Sequence, residues 1–478
     1  MLAGMMMAAM LVCISMRSAT IVSGLGAYSL GDYNDDINES VASGPIPSTI
    51  KPPTEALQFS PQVSRQVSSE VSPQVSSEVS PQVSPDAWSE PYKYPEWFEH
   101  AWPRTATSGV QDVFVGDRPL FPPCSFDPLE FRGYPFEEPR RYIRRSKNPC
   151  WYERPHEHNS LKCAPYFYLA GVAKGGTTDL FRRIRLHPDV MQGTQKEYHW
   201  WDRDRYRHLS KDPTTGDIQI HGGVPLRDYV DKVAGDDIKT LADELSRKGT
   251  SVKIFGDGSP SYLWDVFYWP VLDGNQGCVE PRMLTGQHIR HFYPAAKIIL
   301  TFRHPTPRLY SRFLSRIPRT PELRKDTSKD FHRYVVRAIH HYKKCFSTWS
   351  IRHCTYNHTV YQESTIRLME GFYPVFMADW LRIWPKEQML ILRCEDYSKN
   401  MKAVLQRVFD FLELDELTET QWANITAVDH ANVGDMYEKV GKILPETKAI
   451  LDEFYEPFVR KFAQIMQDSR FLWLDTTH

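Results

Sequence analysis

Residues 166–180 form a segment that has the residue types to bind an anion. It reads Tyr-Phe-Tyr-Leu-Ala-Gly-Val-Ala-Lys-Gly-Gly-Thr-Thr-Asp-Leu, which predicts a short strand, a glycine loop and a helix. Backbone N–H groups of such a loop and the following helix N-terminus attract an anion, and a lysine adds a full charge. The candidate ligands are Lys174, Gly175, Gly176, Thr177 and Thr178. The ATP-binding loop is disfavoured, because there lysine directly precedes Ser or Thr. An ordinary strand-to-helix turn with a surface lysine is the alternative.

A second strand-to-helix segment could hold a phosphate dianion. Arg303 ends the apolar run Lys297–Phe302, and prolines 305 and 307 suit the turn and first helical positions. Ser311 follows Arg303 by eight residues, about two helical turns, so the two can share one pocket. A guanidinium binds a phosphate bidentately, and a hydroxyl can complete the site. A strand-end arginine in a structural salt bridge is the alternative.

A third cluster offers acid–base chemistry. Glu197 and His199 are two residues apart, and they are flanked by Lys196 and by Trp200 and Trp201. A carboxylate or an imidazole can take a proton from an attacking hydroxyl. His199 could equally be a packed structural histidine. The two tryptophans could form a platform for a sugar or belong to the core.

The elements that must position these groups follow from the alternation of apolar patterns. The strand candidates are Tyr166–Ala170, Val252–Phe255, Lys297–Phe302 and Met389–Arg393. The helix candidates are Thr178–Leu186, Thr306–Arg316, Lys329–Lys344, Ser364–Ile383, Asn400–Leu412 and Glu446–Gln467. Strands that alternate with helices predict an α/β fold with a central parallel sheet flanked by helices. Both anion motifs then lie at carboxyl ends of strands, on one edge of the sheet. The polar turn at residues 256–265 follows the second strand and is assigned to the acceptor side of the cleft, with a plain turn as the alternative.

The net charge of −1 over 478 residues is unevenly distributed. Residues 1–100 carry 4 basic and 11 acidic residues, and the remainder carries 54 basic and 48 acidic residues. This mild excess argues against a nucleic-acid binder. Basic residues nevertheless cluster at residues 303–325 and 340–344, where one face could hold an acidic polymer. Solvated helix faces are the alternative for most of them.

The N-terminal part predicts entry into the secretory pathway. Residues 1–30 are mostly apolar or small, which predicts a signal anchor or, alternatively, a cleaved signal peptide. The Ser/Pro/Val repeat within residues 31–87 predicts a disordered stem. Residues 88–147 form a transition to one domain at residues 148–478.

The cysteines suit the same compartment. Seven follow the leader, so at least one is unpaired within the chain. We expect Cys345 to pair with Cys354, and Cys394 to be a free core thiol. The pairing of the other four stays open: Cys124, Cys150, Cys163 and Cys278. Glycosylation sequons stand at Asn38, Asn357 and Asn424.

These motifs resemble those of the sulfotransferases that use 3′-phosphoadenosine 5′-phosphosulfate (PAPS). Lys-Gly-Gly-Thr-Thr at 174–178 is similar to their 5′-phosphosulfate loop, and residues 297–311 are similar to their 3′-phosphate motif. Lys-Glu-Tyr-His-Trp-Trp at 196–201 resembles the glycosaminoglycan sulfotransferases, and the similarity spans roughly residues 148–474. Three segments depart from the family pattern. The loop has Val-Ala-Lys-Gly for Met-Pro-Lys-Cys, Tyr198 replaces proline, and His304 replaces aspartate.

The resemblance implies a PAPS-dependent carbohydrate sulfotransferase with PAPS as co-substrate and no required metal. It implies that Lys174 is catalytic, that Glu197 is the base with His199 as the runner-up, and that Lys196 contacts the nucleotide or the transition state. It further implies that residues 437–442, including Lys442, close over the nucleotide.

The implied acceptor is C6 of N-acetylgalactosamine 4-sulfate in chondroitin or dermatan sulfate. The implied location is the Golgi lumen, as a type II membrane protein or, alternatively, as a secreted one. Another glycan acceptor and an inactive glycan-binding relative remain alternatives. A nucleotide-phosphate kinase is disfavoured by the position of the lysine. The oligomeric state stays open.

Overall fold

A computed structural model gives the fold of most of the chain beyond the predicted stem. It describes residues 92–102, 141–154, 160–206, 208–211, 218–221, 223–264, 267–271, 275, 278–429 and 436–475. The predicted leader and stem lie outside these residues, as do Asn38 and Cys124. Within the described ranges, no helix has the length and apolarity needed to cross a membrane.

Four parallel strands form the central sheet. The strands of the described ranges are β1 Cys150–Tyr152, β2 Leu161–Cys163, β3 Phe167–Gly171, β4 His208–Lys211, β5 Ile218–His221, β6 Gly256–Asp257, β7 Lys297–Phe302 and β8 Met389–Arg393. The sheet has the order β6-β3-β7-β8, and each neighbouring pair is parallel. β1 with β2 and β4 with β5 form two small antiparallel pairs.

The predicted β7 and β8 are confirmed at both ends, and β3 is shifted by one residue. The prediction of a strand at residues 252–255 is wrong. Only Ile254 of that run makes a bridge, to Val190, and the paired strand follows at β6. Gly256 lies against the ring of Phe167, with a Cβ position only 2.3 Å from it, so this close pairing needs glycine.

Helices cover both faces of the sheet. They are α1 Glu96–Ala101, α2 Thr177–Ile184, α3 Leu226–Ala234, α4 Asp237–Lys248, α5 Thr285–Phe292, α6 Pro305–Arg316, α7 Ser328–Phe346, α8 Ile351–Tyr356, α9 His358–Glu363, α10 Tyr373–Ile383, α11 Cys394–Lys399, α12 Met401–Phe411, α13 Glu419–Thr426, α14 Met436–Val440 and α15 Pro445–Met466. The alternation of β3 and β7 side chains separates two cores. Tyr168 and Ile298 belong to one core, whereas Phe167 and Ile299 belong to the other. This is the pattern of a parallel sheet buried on both faces.

The helix predicted at 364–383 is shorter than expected. A 3₁₀ turn occupies Leu368–Gly371, and α10 begins only at Tyr373. Pro374 lies at the start of α10, because proline in a helix interior lacks the N–H donor and clashes with the preceding turn. Glu370 in the 3₁₀ turn instead pairs with Arg308 of α6 at 2.7 Å, with both side chains buried.

Two disulfides brace the described part of the fold. The predicted pair Cys345–Cys354 is confirmed, and Cys150 pairs with Cys163 across β1 and β2. Cys278 is also disulfide-bonded, and Cys394 is free, as predicted.

Candidate active site

The glycine loop connects β3 to α2 at the carboxyl edge of the sheet. Lys174 and Gly176 adopt left-handed conformations, with φ of 66° and 84°. For lysine this conformation costs energy, and such strain is typical of functional loops. Thr177 is buried and Thr178 is partly buried at the start of α2. No side chain caps this helix end, which leaves first-turn N–H groups to an external acceptor.

Two neighbouring strands hold this loop in place. The Thr301 hydroxyl of β7 donates to the carbonyl oxygen of Gly175 at 2.9 Å. A Cβ on Gly175 would lie 2.5 Å from the Thr301 carbonyl oxygen, so only glycine fits. A Cβ on Gly176 would lie 3.3 Å from Sγ of Cys394, which follows β8. The loop is therefore a narrow cradle with backbone walls, of a kind that suits a phosphate.

The Arg303 segment lies beside that cradle. Arg303 is partly buried at the end of β7, and its carbonyl oxygen accepts a hydrogen bond from Tyr373 at 2.8 Å. Burial raises the pKa of the Cys394 thiol to about 11, although the charge of the Arg303 guanidinium lowers it. Ser311 is partly buried in the second turn of α6, which begins two residues after Arg303.

The segment that carries Lys442 docks on the same helix. Tyr310, the neighbour of Ser311, donates to the carbonyl oxygen of Gly441 at 2.7 Å and packs against Tyr437. Lys442 is exposed directly after this contact. The predicted closing segment therefore packs on α6 at Tyr310.

Lys196, Glu197 and His199 meet in one ionic cluster. Lys196 Nζ contacts Oε1 of Glu197, and His199 Nε2 lies 3.3 Å from Oε2. Both residues of the Glu197–His199 pair are less than one tenth exposed. Burial alone raises the pKa of Glu197, but Lys196 and His199 outweigh burial and lower it to about 2. Two cationic groups therefore hold this carboxylate ionised.

His199 carries the complementary shift. Burial and Arg203 lower the pKa of His199, but the carboxylates of Asp202 and Glu197 outweigh them and raise it to about 9. Asp202 Oδ1 lies 3.7 Å from Nδ1, which is an ion-pair distance and too long for a hydrogen bond. Nδ1 is instead 2.9 Å from the Ser261 hydroxyl. His199 is therefore an imidazolium at neutral pH, held from both sides of the ring.

The polar turn after β6 braces this cluster. The backbone N–H groups of Tyr198 and His199 both donate to Ser259 Oγ at 3.0 Å, and Ser259 donates to Asp257 at 2.6 Å. Asp257 also accepts from the hydroxyls of Tyr229 and Tyr262. Burial raises the pKa of Asp257 to about 6, although these hydrogen bonds lower it. Asp257 and Ser259 are thus positioning residues for the acid–base cluster.

The same turn returns to β3 beside the glycine loop. Leu263 N–H donates to the carbonyl oxygen of Ala170 at 3.0 Å, one residue before the end of β3. A Cβ on Gly258 would lie 2.9 Å from the Phe181 ring of α2 and 3.1 Å from Lys196. Lys196 therefore lies close to the helix that follows the glycine loop. The glycine loop, Arg303 and the polar turn that supports the ionic cluster therefore each follow the carboxyl end of a strand of this sheet.

Trp200 and Trp201 belong to the core. They are 2% and 0% exposed, and Trp200 stacks on Tyr229 with ring centroids 4.9 Å apart. Its indole N–H donates to the carbonyl oxygen of Val224 at 2.7 Å. A stacking platform needs an open ring face, so the sugar-platform interpretation is wrong and the core alternative is confirmed.

A model of the sulfotransferase domain matches residues 165–429, which contain both anion motifs and the ionic cluster. Carbohydrate sulfotransferase 15 of Rattus norvegicus is 33% identical over 388 residues, covering 71% of this chain and 67% of its own. The human enzyme of that name shows the same identity over 390 residues and the same coverage. This chain belongs to the carbohydrate sulfotransferase family. The sulfotransferase therefore uses PAPS as its sulfuryl donor and a glycan as acceptor.

A solved sulfotransferase from Alicyclobacillus acidocaldarius is also similar. It is 18% identical, with a TM-score of 0.38, and the match covers 64% of this chain and 97% of that chain. In the present chain, the groups that could bind phosphate suit PAPS independently of these similarities. The glycine cradle, Lys174 and the uncapped start of α2 suit one phosphate group, and Arg303 beside Ser311 suits another.

Proposed function

We propose that this sulfotransferase transfers sulfate from PAPS to C6 of N-acetylgalactosamine 4-sulfate in chondroitin or dermatan sulfate. The observation that carries the proposal is the buried ionic cluster of Lys196, Glu197 and His199, which is braced by a turn that packs on α2, the helix after the glycine loop. Similarity to carbohydrate sulfotransferase 15 across most of the chain supports a sugar hydroxyl as the acceptor.

Two groups of residues hold the donor. Lys174, Gly175, Gly176, Thr177 and Thr178 bind the 5′-phosphosulfate. Arg303 and Ser311 bind the 3′-phosphate, and Lys442 covers the nucleotide from its exposed position above α6. Bound PAPS supplies the sulfuryl group and a phosphate leaving group. The charge of Lys174 stabilises negative charge at the 5′ end, where electrostatic stabilisation contributes most.

Glu197 receives the proton of the acceptor hydroxyl. The ammonium of Lys196 lowers the pKa of Glu197, so movement of Lys196 away from the carboxylate raises its proton affinity. His199 keeps the second carboxylate oxygen oriented through its Nε2 contact, and Ser261 fixes the ring. A Cβ on Gly258 would meet both Lys196 and Phe181 of α2, so Lys196 is near enough to α2 to move between Glu197 and the phosphate side. If Glu197 were not the base, His199 would be the next candidate.

The chemistry that we propose requires no metal, because lysine, arginine and helix N–H groups supply the positive charge. We further propose that the enzyme works in the Golgi lumen, anchored through residues 1–30 or secreted after their cleavage. The confirmed disulfide between Cys345 and Cys354 supports an oxidising compartment.

Transfer of labelled sulfate by the full-length enzyme tests the proposal. The acceptors are chondroitin, 4-sulfated chondroitin, dermatan sulfate and heparan sulfate, followed by disaccharide analysis. Label in a 4,6-disulfated galactosamine unit is the expected result. Label only on another polymer would retain the reaction and reject the acceptor. PAPS binding without transfer to any acceptor would favour an inactive glycan-binding relative.

A further inference from the structure

The exposed face of α7 is strongly basic and takes no part in the site described above. Five Lys and Arg side chains lie on it, and Asp330 is the one acidic residue of the helix. The basic residues are Lys329, Arg333, Arg337, Lys343 and Lys344, all exposed. At 100° per residue they fall within about 120° of the helix circumference. The opposite face is buried and apolar, from Phe331 to Phe346.

These charges differ from those on other exposed helices of the enzyme. On α4, Arg247 and Lys248 are each paired with a carboxylate four residues earlier, and Lys239 is paired with Asp236. On α7, Arg333 pairs with Asp330. No carboxylate of the described residues lies within ion-pair distance of Lys329, Arg337, Lys343 or Lys344. An uncompensated row of like charges lowers stability by self-repulsion and attracts a polyanion.

An exposed indole lies just beyond the C-terminal end of α7. Trp349, one turn beyond α7, is 50% exposed, and its ring stacks on His353 with centroids 4.6 Å apart. The Cys345–Cys354 disulfide closes the loop that carries it. A large exposed aromatic ring held in one orientation suits the apolar face of a sugar. The charges and the ring together match a sulfated glycan better than a purely ionic partner.

Helix α7 is connected to the catalytic cluster through packed side chains. Ser261, which contacts His199, precedes Trp264 by one turn, and the Arg367 guanidinium lies 5.6 Å from the Trp264 ring. Arg367 then lines a cavity shared with Arg312, Arg316 and Tyr334, and Tyr334 belongs to α7.

We propose that the basic face of α7, together with Trp349, binds the sulfated acceptor chain outside the catalytic cleft. The helix is about 28 Å long, so several successive sugars can contact it. This inference rests on the proposed function, since it takes the acceptor to be a sulfated polymer. It predicts that the enzyme holds long chains more tightly than short ones.

A triple variant, Lys329→Gln with Arg337→Gln and Lys344→Gln, tests this inference in the full-length enzyme. The control is Lys239→Gln with Arg247→Gln and Lys248→Gln on α4, which removes the same charge. For polymeric 4-sulfated chondroitin we expect the α7 variant to raise KM roughly five- to tenfold, because each exposed contact contributes modestly. We expect kcat, the KM of a short oligosaccharide acceptor and the control variant to be unchanged. Adding Trp349→Ala to the triple α7 variant should raise its KM for the polymer further.

A wild-type polymer KM in the α7 variant would overturn the inference, as would an equal loss with the short acceptor or in the control. Retention on immobilised chondroitin sulfate, measured at increasing salt without turnover, separates this binding from catalysis. We expect the α7 variant to elute at lower salt. Loss of binding to phosphatidylserine vesicles, with unchanged retention on chondroitin sulfate, would instead assign this face to a membrane surface.

Discussion

His199 Nε2 lies 3.3 Å from Oε2 of Glu197, and this contact joins the two candidate bases into one ionic unit. The histidine is charged and the glutamate is ionised, because each raises the stability of the charged form of the other. An imidazolium cannot accept a proton, whereas a carboxylate can. This contact therefore favours Glu197 as the base, while His199 orients the carboxylate of Glu197 and keeps it ionised.

Glu197→Gln should separate binding from turnover. The amide keeps the shape of the side chain but cannot take a proton, so we expect kcat to fall about 10²–10⁴-fold. The dissociation constant for PAPS, measured by calorimetry, should stay close to that of the wild type. His199→Ala should reduce kcat less, because it removes an orienting contact. A larger loss in His199→Ala than in Glu197→Gln would move the base assignment to His199.

The same pair predicts how folding stability depends on pH. The pKa of His199 is raised to about 9, so its stabilisation is complete below about pH 6.5 and is lost as the pH rises through 9. The pKa of Glu197 is lowered to about 2, so its stabilisation is present above about pH 4.3 and is lost as the pH falls towards 2. The pair therefore stabilises the folded state most between about pH 4.3 and about pH 6.5.

The free energy of unfolding, measured at pH 6 and at pH 9, gives the contribution of His199 to this pH dependence. We expect the free energy of unfolding of the wild type to fall, between these pH values, by on the order of 2 kcal/mol more than that of His199→Gln. Both proteins contain the same other titratable groups, so their difference isolates His199. Equal losses in the two proteins would show that His199 titrates alike in the folded and unfolded states.

Much of the fold could be read from local sequence. β7 and β8 are apolar runs that end at polar or turn residues, and both bounds were predicted correctly. The helix prediction at 364–383 failed because Pro374 and the buried Glu370–Arg308 pair set the start of α10. Residue type alone marks a proline break, whereas a partner 62 residues away is a tertiary choice.

The motifs of the candidate site could be predicted from the sequence, but the contacts that hold these motifs in place could not. Lys174, Glu197 and Arg303 stand in recognisable local patterns. The Ser259 contacts to the Tyr198 and His199 amides span 61 and 60 residues, so no local pattern could indicate them. The signal that remained was the Gly-Asp-Gly-Ser-Pro-Ser turn, whose small and polar residues predicted a cleft but no specific contact. Cys394 was predicted as a core thiol, yet its place against Gly176 of the glycine loop depends on β8 lying beside β7.

Lys174→Ala should abolish transfer while the protein stays folded. Lys174 is partly buried in a loop whose conformation depends on the neighbouring glycines and on Thr301, so its side chain contributes charge more than packing. We expect kcat to fall by at least about 10²–10³-fold, the range for loss of one electrostatic stabiliser. The melting temperature, measured by circular dichroism, should stay within a few degrees. Turnover near that of the wild type would refute the role of Lys174.

Glu370→Gln should destabilise the enzyme more than most single substitutions. The carboxylate is 1% exposed and pairs with Arg308, which is fully buried, while Arg312 and Arg367 lie within 3.8 Å and 3.5 Å. Its removal leaves buried guanidinium groups without that countercharge, which costs about 3–5 kcal/mol. Chemical denaturation of the variant measures this loss. Arg247→Gln on exposed α4 serves as control, since an exposed pair contributes under about 1 kcal/mol. A loss in Glu370→Gln as small as in the control would refute the structural role of the pair.

Gly175→Ala should damage the phosphate cradle through backbone contact alone. The added Cβ would lie 2.5 Å from the carbonyl oxygen of Thr301, and neither β7 nor the loop can move without breaking the sheet. We expect PAPS affinity to fall at least tenfold and stability to drop by about 1–3 kcal/mol, as in other overpacked sites. Gly286→Ala is the matched control, because its Cβ would meet neighbours at an ordinary 3.4 Å and alanine favours the helix. If Gly175→Ala bound PAPS as tightly as the control, the close contact with Thr301 would not be what shapes the nucleotide site.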